Sequence, residues 1–363
     1  MLTGIDIQNF RGLRDFSLQE AGRVNLVVGR NDAGKTSVLE AIRLLLTGNP
    51  RHIRRTNRNH LERRYDSEQD YRLAFYQGRA DGGLHVTGNI GGQILTGHAK
   101  FVEVLAEQTL PLEVDNDVDS SESMESLLKP SYEIVVEITA GNGAVTIIRQ
   151  QLQGRDYPSA RSQSRSVSAE FPVVPPLVWL GTDRPESWAH ARRYSALYRL
   201  GGAPLLLNIL KEIEPRLNSL VVLTNRTEGM LTSVVLEVDI GLAASLPLES
   251  MGDGFSSTIA IMSAIGSATG GLCLIDEVEN GLHYSLLPQI WRSIAVASDS
   301  YNAQVWATTH SYDCISAAFE AFANTPDLLR VHRLERADEG NVAVHSFDHE
   351  MLGRALERGL EVR

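Results

Sequence analysis

Gly29-Arg30-Asn31-Asp32-Ala33-Gly34-Lys35-Thr36, followed by Ser37, is the stretch on which the reading of this chain turns. It fits G-x-x-x-x-G-K-[ST] at every fixed position. Val24-Asn25-Leu26-Val27-Val28 runs into it, a short apolar segment of the kind a buried central strand shows. Beyond it Val38, Leu39, Ile42, Leu45 and Leu46 recur at helical spacing until Gly48 and Pro50 stop the pattern. A strand, a Gly-rich turn and a helix start gather backbone N–H groups and the positive end of a helix dipole around an anion. Gly29, Asn31, Ala33, Gly34, Lys35, Thr36 and Ser37 are therefore the expected nucleotide-binding residues. Lys35 would reach the β- and γ-phosphates and Thr36 would give its hydroxyl to Mg²⁺, so ATP and Mg²⁺ are the expected cofactors.

A second segment complements the first. Leu272-Cys273-Leu274-Ile275 is an apolar strand that ends in Asp276-Glu277. Ligands in α/β sheets gather at the carboxyl ends of strands. Asp276 is the expected Mg²⁺ partner and Glu277 the expected general base. Neighbouring residues on a strand face opposite ways, which would let the two carboxylates hold different roles. Gln304–Ala307 is a further apolar strand, and Thr308-Thr309-His310 closes it. His310 in that place would contact the γ-phosphate. Glu249-Ser250-Met251-Gly252-Asp253-Gly254 precedes a helix and could form a second anion-binding turn. One chain needs only one such turn per triphosphate. A symmetric dimer can use both, each site joining the loop of one subunit to Ser250, Gly252 and Gly254 of the other.

Alternating strands and helices predict an α/β fold with a largely parallel sheet. The expected core spans 1–50 and 233–363, with an inserted lobe of β-hairpin and helical segments over 51–232. In that lobe Tyr132–Thr139 and Ala144–Gln150 alternate around Gly141-Asn142-Gly143 as a hairpin. Arg193 to Leu220 has helical character, broken at Gly201-Gly202 and Pro204. The acidic tract 113–125 and the Ser/Arg/Gln-rich tract 153–168 read as loops.

Bulk properties narrow the classes. The 363 residues are 43% hydrophobic and 22% charged, ordinary for a globular protein. No apolar run approaches the ~18–20 residues of a membrane span, and the start lacks a secretory pattern, so a cytoplasmic protein is expected. Cys273 and Cys314 sit among apolar residues and read as reduced, buried thiols. A net charge of -11 argues against indiscriminate coating of DNA. Arg51, Arg54, Arg55, Arg58, Arg63 and Arg64 still form a local basic stretch that could meet phosphates. It could equally be a solvated face or a partner contact.

The four motifs, in this order, resemble the ABC-type ATPases of the RecF, SMC and OLD (overcoming lysogenisation defect) group. Ile5-Asp6-Ile7-Gln8-Asn9-Phe10-Arg11-Gly12-Leu13 looks like that group's first strand. Asp276-Glu277-Val278-Glu279-Asn280-Gly281-Leu282-His283 and Ala307-Thr308-Thr309-His310-Ser311 look most like OLD-like AAA-family ATPases of prokaryotes. The resemblance implies a P-loop NTPase with an ABC-type ATPase head, a mixed sheet and an inserted lobe. It implies a homodimer through the ATP sites, with Ser250, Gly252 and Gly254 on the signature motif, Asn280 to His283 on the D-loop and His310 as the switch histidine. The signature departs from Leu-Ser-Gly-Gly-Gln at Glu249 and Met251. Gln77 is the candidate for the family's Q-loop glutamine. Many OLD proteins carry a Toprim nuclease domain, which needs about twice the 53 residues that follow His310, so the motor alone is expected here.

Two functions follow as expectations. One is an ATPase subunit that senses nucleic acid or licenses a separate effector, such as a nuclease or toxin, in DNA repair or antiphage defence. The other is a scaffold, fixed by ATP, that restrains a partner protein with little turnover. A transporter subunit fits poorly without Leu-Ser-Gly-Gly-Gln, and a GTPase fits poorly without Asn-Lys-x-Asp.

Overall fold

A computed structural model describes residues 1–53, 71–104, 131–152, 164–167, 174–182, 187–227, 230–337, 341–359 and 361–362. The chain opens with β1 (Leu2–Phe10) and β2 (Leu13–Leu18), an antiparallel ribbon whose Leu2, Ile5, Ile7 and Phe10 are buried. β3 (Val24–Val28) follows, buried at every position, and leads to α1 (Lys35–Thr47). Gly48 ends α1 in the left-handed conformation, as a helix-stopping glycine should. β4 (Leu84–Ile90), β5 (Gln93–Val104), β6 (Ser131–Ala140), β7 (Val145–Leu152) and β8 (Ser164–Val167) then extend the first ribbon into one antiparallel sheet, in the order β2-β1-β4-β5-β6-β7-β8.

β9 (Leu177–Leu180) returns to the centre of the molecule, and α2 (Ser187–Arg199) and α3 (Ala203–Ile213) follow. β10 (Ser219–Thr227), β11 (Met230–Asp239) and β12 (Leu246–Pro247) make a small third sheet. Next come α4 (Asp253–Ser267), β13 (Leu272–Ile275), α5 (Leu287–Ser300), β14 (Gln304–Thr309) and α6 (Tyr312–Ala321). β15 (Leu329–Arg336), β16 (Val342–Phe347) and α7 (His349–Glu357) finish the chain. The central sheet runs β16-β15-β3-β14-β13-β9 and is parallel except for β16.

Strand alternation divides the interior into two cores. Leu272 and Leu274 of β13, Trp306 of β14 and Val27 of β3 face α1 and the antiparallel sheet. Cys273 and Ile275, Val305 and Ala307, and Val24, Leu26 and Val28 face the other way, into a core with α2 to α6. The P-loop helix is thus packed between two sheets, which anchors the turn at its start.

The strand pairing redraws the expected boundaries. Residues 51–232 do not form one inserted lobe: β4 to β8 complete the β1–β2 sheet, and β9 is the outer strand of the parallel sheet. The line at 232/233 cuts through β11. Local pattern marks where a strand lies, but its sheet depends on partners far away in sequence. Pro204, expected to break a helix, sits in the first turn of α3, where its missing N–H costs nothing. The hairpin at Gly141 forms as expected. Within the tract 153–168, Ser164–Val167 is a strand, while 153–163, 113–125 and 54–70 lie outside the described residues.

Candidate functional site

The P-loop needs its glycines for steric reasons. Gly29 has φ 148 and Gly34 φ 99, both in the left-handed range. A Cβ at Gly29 would stand 2.6 Å from the Leu334 carbonyl oxygen of the neighbouring β15, and one at Gly34 would stand 2.8 Å from Leu13 Cδ2. α1 begins with no side-chain cap and no acidic residue in its first turn. By contrast Ser311 caps α6 and Asp348 caps α7 through their side chains. The first N–H groups of α1 are left for an external acceptor.

The turn opens on a cavity of about 850 Å³. Asn31, Gly34, Lys35, Thr36, Ser37, Gln77, Asp276 and Glu277 all line it, so the structure gathers those expected residues in one place. Gly29 and Ala33 shape the turn from behind. Lys35 Nζ donates to the carbonyls of Gly29 (2.8 Å) and Arg30 (3.0 Å). Burial holds Lys35 below the usual lysine range, while Asp276, Glu277, Glu279 and Asp32 pull the other way.

Asp276 follows the parity of Leu272 and Leu274, so its carboxylate meets α1. Thr36 Oγ1 donates to both of its oxygens, at 3.0 and 3.1 Å. Thr308 Oγ1 donates to Asp276 Oδ1 at 2.6 Å and accepts the Glu277 N–H at 2.8 Å. One hydroxyl therefore ties the two acidic residues together. Glu277 does not continue the strand alternation: its φ is 52, the chain turns there, and both acidic residues line the same cavity. The Thr36 hydroxyl and the Asp276 carboxylate are hard oxygen donors, only two in number, which suits a Mg²⁺ that completes its shell with phosphate and water.

Other expected residues lie elsewhere. His310 follows β14 but is not in the cavity wall. Its side chain is 52% exposed, and its Nδ1 stands 3.4 Å from Glu279 Oε1, which also accepts the His310 N–H and the Thr309 hydroxyl. Ser250 and Gly252 are exposed at the start of α4, away from the cavity, and Gly254 is in the first turn. α4 too lacks a side-chain cap. Asn280, in the expected D-loop, donates to the Thr182 carbonyl at 2.8 Å.

Sequence reasoning gave no role to Arg11, Asp32, Thr308 or Arg336, which also line the cavity. Thr308 was within reach, since it precedes His310 at a strand end. Arg336 had no local signal: it comes from β15 and donates to the Asp32 carbonyl at 3.0 Å. Of the basic stretch, Arg51 is described and exposed; the other five arginines lie outside the described residues.

This architecture is the ABC-type P-loop ATPase head. A solved SMC head bound to the C-winged helix domain of ScpA matches 98% of this chain and 99% of its own with a TM-score of 0.50 at 11% identity, a likeness of fold. Two family models match in succession: "AAA domain" over residues 5–157, and "AAA domain, putative AbiEii toxin, Type IV TA system" over residues 172–315. The DNA replication and repair protein RecF of Shewanella frigidimarina is 36% identical over 121 residues, 31% of this chain and 32% of that one. A match to an uncharacterized protein of Methanocaldococcus jannaschii, 45% over 47 residues, spans 22% of that protein. These two likenesses thus cover a third or less of the relatives' length. An ATP/GTP phosphatase of Helicobacter pylori is 23% identical over 332 residues, 87% of this chain and 86% of that one. The chain thus has the fold of an SMC-type ABC ATPase head and two successive segments similar to AAA domains. Among the described residues no helix is long and apolar enough to cross a membrane.

Proposed function

We propose that this chain binds and hydrolyses Mg²⁺–ATP and does so as a dimer that closes on nucleotide. The observation that carries the reading is the chain of contacts Thr36–Asp276–Thr308–Glu277 in the wall of the cavity that also holds Lys35. Lys35 and the amides of α1 bind the phosphates. Thr36 and Asp276 hold Mg²⁺, which supplies charge neutralisation on the phosphoryl oxygens. Glu277 accepts the proton of the attacking water and is kept in place through its backbone by Thr308. The likeness to an ATP/GTP phosphatase of Helicobacter pylori supports hydrolysis. The test is turnover of ATP and of GTP by Lys35→Ala and Glu277→Gln. Normal hydrolysis by Glu277→Gln would falsify the assignment of the base.

The exposed, uncapped start of α4 supports the dimer. Ser250, Gly252 and Gly254 present amides and a hydroxyl without a cation of their own, as a half-site completed by a second copy would. His310, half exposed at the same strand end as Glu277's partner Thr308, fits a contact made only on closure. The effector reading draws support from two likenesses, to a RecF of DNA replication and repair and to the AAA domain of a putative AbiEii toxin family. It takes the chain as an OLD-like motor that couples ATP to nucleic-acid sensing or to a nuclease or toxin partner. Salt-dependent binding of duplex DNA, lost in Arg54→Glu with Arg55→Glu, would support the nucleic-acid arm; no binding in low salt would sink it.

A further inference from the structure

Backbone strain is concentrated around the cavity. Of the seven described non-glycine residues with positive φ, Arg11, Asp32, Gln77 and Glu277 line it. Such strain persists only where surrounding contacts over-determine it. At Arg11, φ 51, those contacts are specific. Its N–H donates to the Ala74 carbonyl at 2.8 Å, and Phe10 bridges Phe75. Asn9, φ 57, accepts the Tyr76 N–H at 3.1 Å. The segment that brings Gln77 to the cavity thus also holds Arg11 there.

The Arg11 side chain has a second tether. Its Nη1 lies 2.6 Å from Glu40 Oε2, with the two side chains 17% and 14% exposed. Glu40 stands one helical turn beyond Thr36 on α1, on the same face. It does not line the cavity itself. Its other charged neighbours are Arg43 on its own helix, whose Cζ lies 4.9 Å from the Trp179 ring centroid, and Asp276 at the end of β13. Burial is the main influence on this carboxyl and pushes it up to about 7, against the pull of Arg11 and Arg43. A mostly buried carboxylate is costly to keep, so its retention beside the cavity calls for a role.

We propose that Glu40 is a positioning residue of the nucleotide site: it latches Arg11 to the P-loop helix, so that Arg11 supplies the triphosphate with a second fixed cation beside Lys35. The inference rests on the cavity being a nucleotide site. Mg²⁺ and one lysine leave negative charge on the triphosphate, and a guanidinium held in advance is suited to it. The latch joins the β1–β2 turn to α1 itself, so Arg11 keeps register with Lys35 and Thr36.

The test is a double-mutant cycle on the full chain, reading the Kd of Mg²⁺–ATP and the KM and kcat of hydrolysis for Arg11→Ala, Glu40→Gln and the pair. Each single change should weaken ATP binding roughly 10-fold, with the effect mainly on KM, and the double variant should be no worse than Arg11→Ala. Glu40→Asp, which keeps the charge but shortens the reach, should recover part of the loss when Arg11 is present and none when it is absent. It also serves as the probe should Glu40→Gln not fold. Additive losses, or an equal effect of Glu40 variants with and without Arg11, would overturn the latch. If the wild-type chain binds no ATP, the nucleotide reading falls and the latch with it. If it binds and Glu40→Gln binds as well, the latch alone falls.

Discussion

The starts of α1 and α4 are alike in backbone and opposite in surroundings. Each follows a glycine, Gly34 or Gly252, with positive φ, and neither has a side-chain cap. At α1 the free N–H groups meet a lysine, a threonine hydroxyl and two carboxylates in one cavity. At α4 Ser250 and Gly252 are exposed, and the first turn carries an acidic residue, Asp253, which stands in place of a cation and lines a separate cavity. Helix polarity alone therefore does not make a phosphate site; the side chains converging on it do. α1 has what a triphosphate and its metal require, while α4 offers amides and a hydroxyl beside a carboxylate. That difference is what the dimer reading turns into a division of labour.

The sharpest way to break the comparison is to remove what only α1 has. Glu277→Gln should lower kcat about 10²–10⁴-fold and leave ATP binding intact, with an ATP-dependent dimer accumulating in sedimentation. Lys35→Ala should weaken ATP binding by about two orders of magnitude or more, measured by titration with a fluorescent ATP analogue. Ser250→Arg, at the other helix start, should leave ATP binding by the single chain near wild type but abolish the ATP-dependent dimer. A Ser250→Arg chain that still dimerises with ATP would remove α4 from the site. Thr308→Val should cost roughly 1–3 kcal/mol in stability and also lower kcat, because it leaves the buried Asp276 and the Glu277 N–H short of a partner.

The last effect, one on stability alone, lies away from both helix starts. His332 is fully buried between Ser346 and Asn25 and stacks on Trp306, and burial lowers it to about 4. The unfolded chain takes up its proton near pH 6.5 and the folded one only near 4, so the unfolded state binds more protons between them. Stability from this group is full above pH 6.5 and is lost as pH falls through 4, up to about 3 kcal/mol. His332→Gln should flatten that acid limb in urea titrations at pH 4 to 7.

Much of the α1 half of this comparison was legible in the sequence, because its signal is local. Gly29, Gly34, Lys35 and Thr36 lie within eight residues, and Asp276-Glu277 end an unmistakably apolar strand. Leu272 and Leu274 even carry the parity that turns Asp276 towards Thr36. Gln77 reached the cavity wall on a weaker cue, a glutamine after an apolar run. Glu279 escaped notice, although it holds both Thr309 and His310, because nothing in a loop sequence says which neighbour a carboxylate will bond.

By itself the sequence determined the phosphate-binding turn, its strand and helix, the acidic strand end and the α/β class, since each depends on residue type and short-range spacing. Only the tertiary structure decided that β9 joins the parallel sheet, that β4 to β8 complete the sheet begun by β1, and that Arg11, Thr308 and Arg336 share the cavity with Lys35. Those outcomes rest on pairings across as many as 304 positions, as between Asp32 and Arg336, where a strand's register and a side chain's neighbours are set by packing.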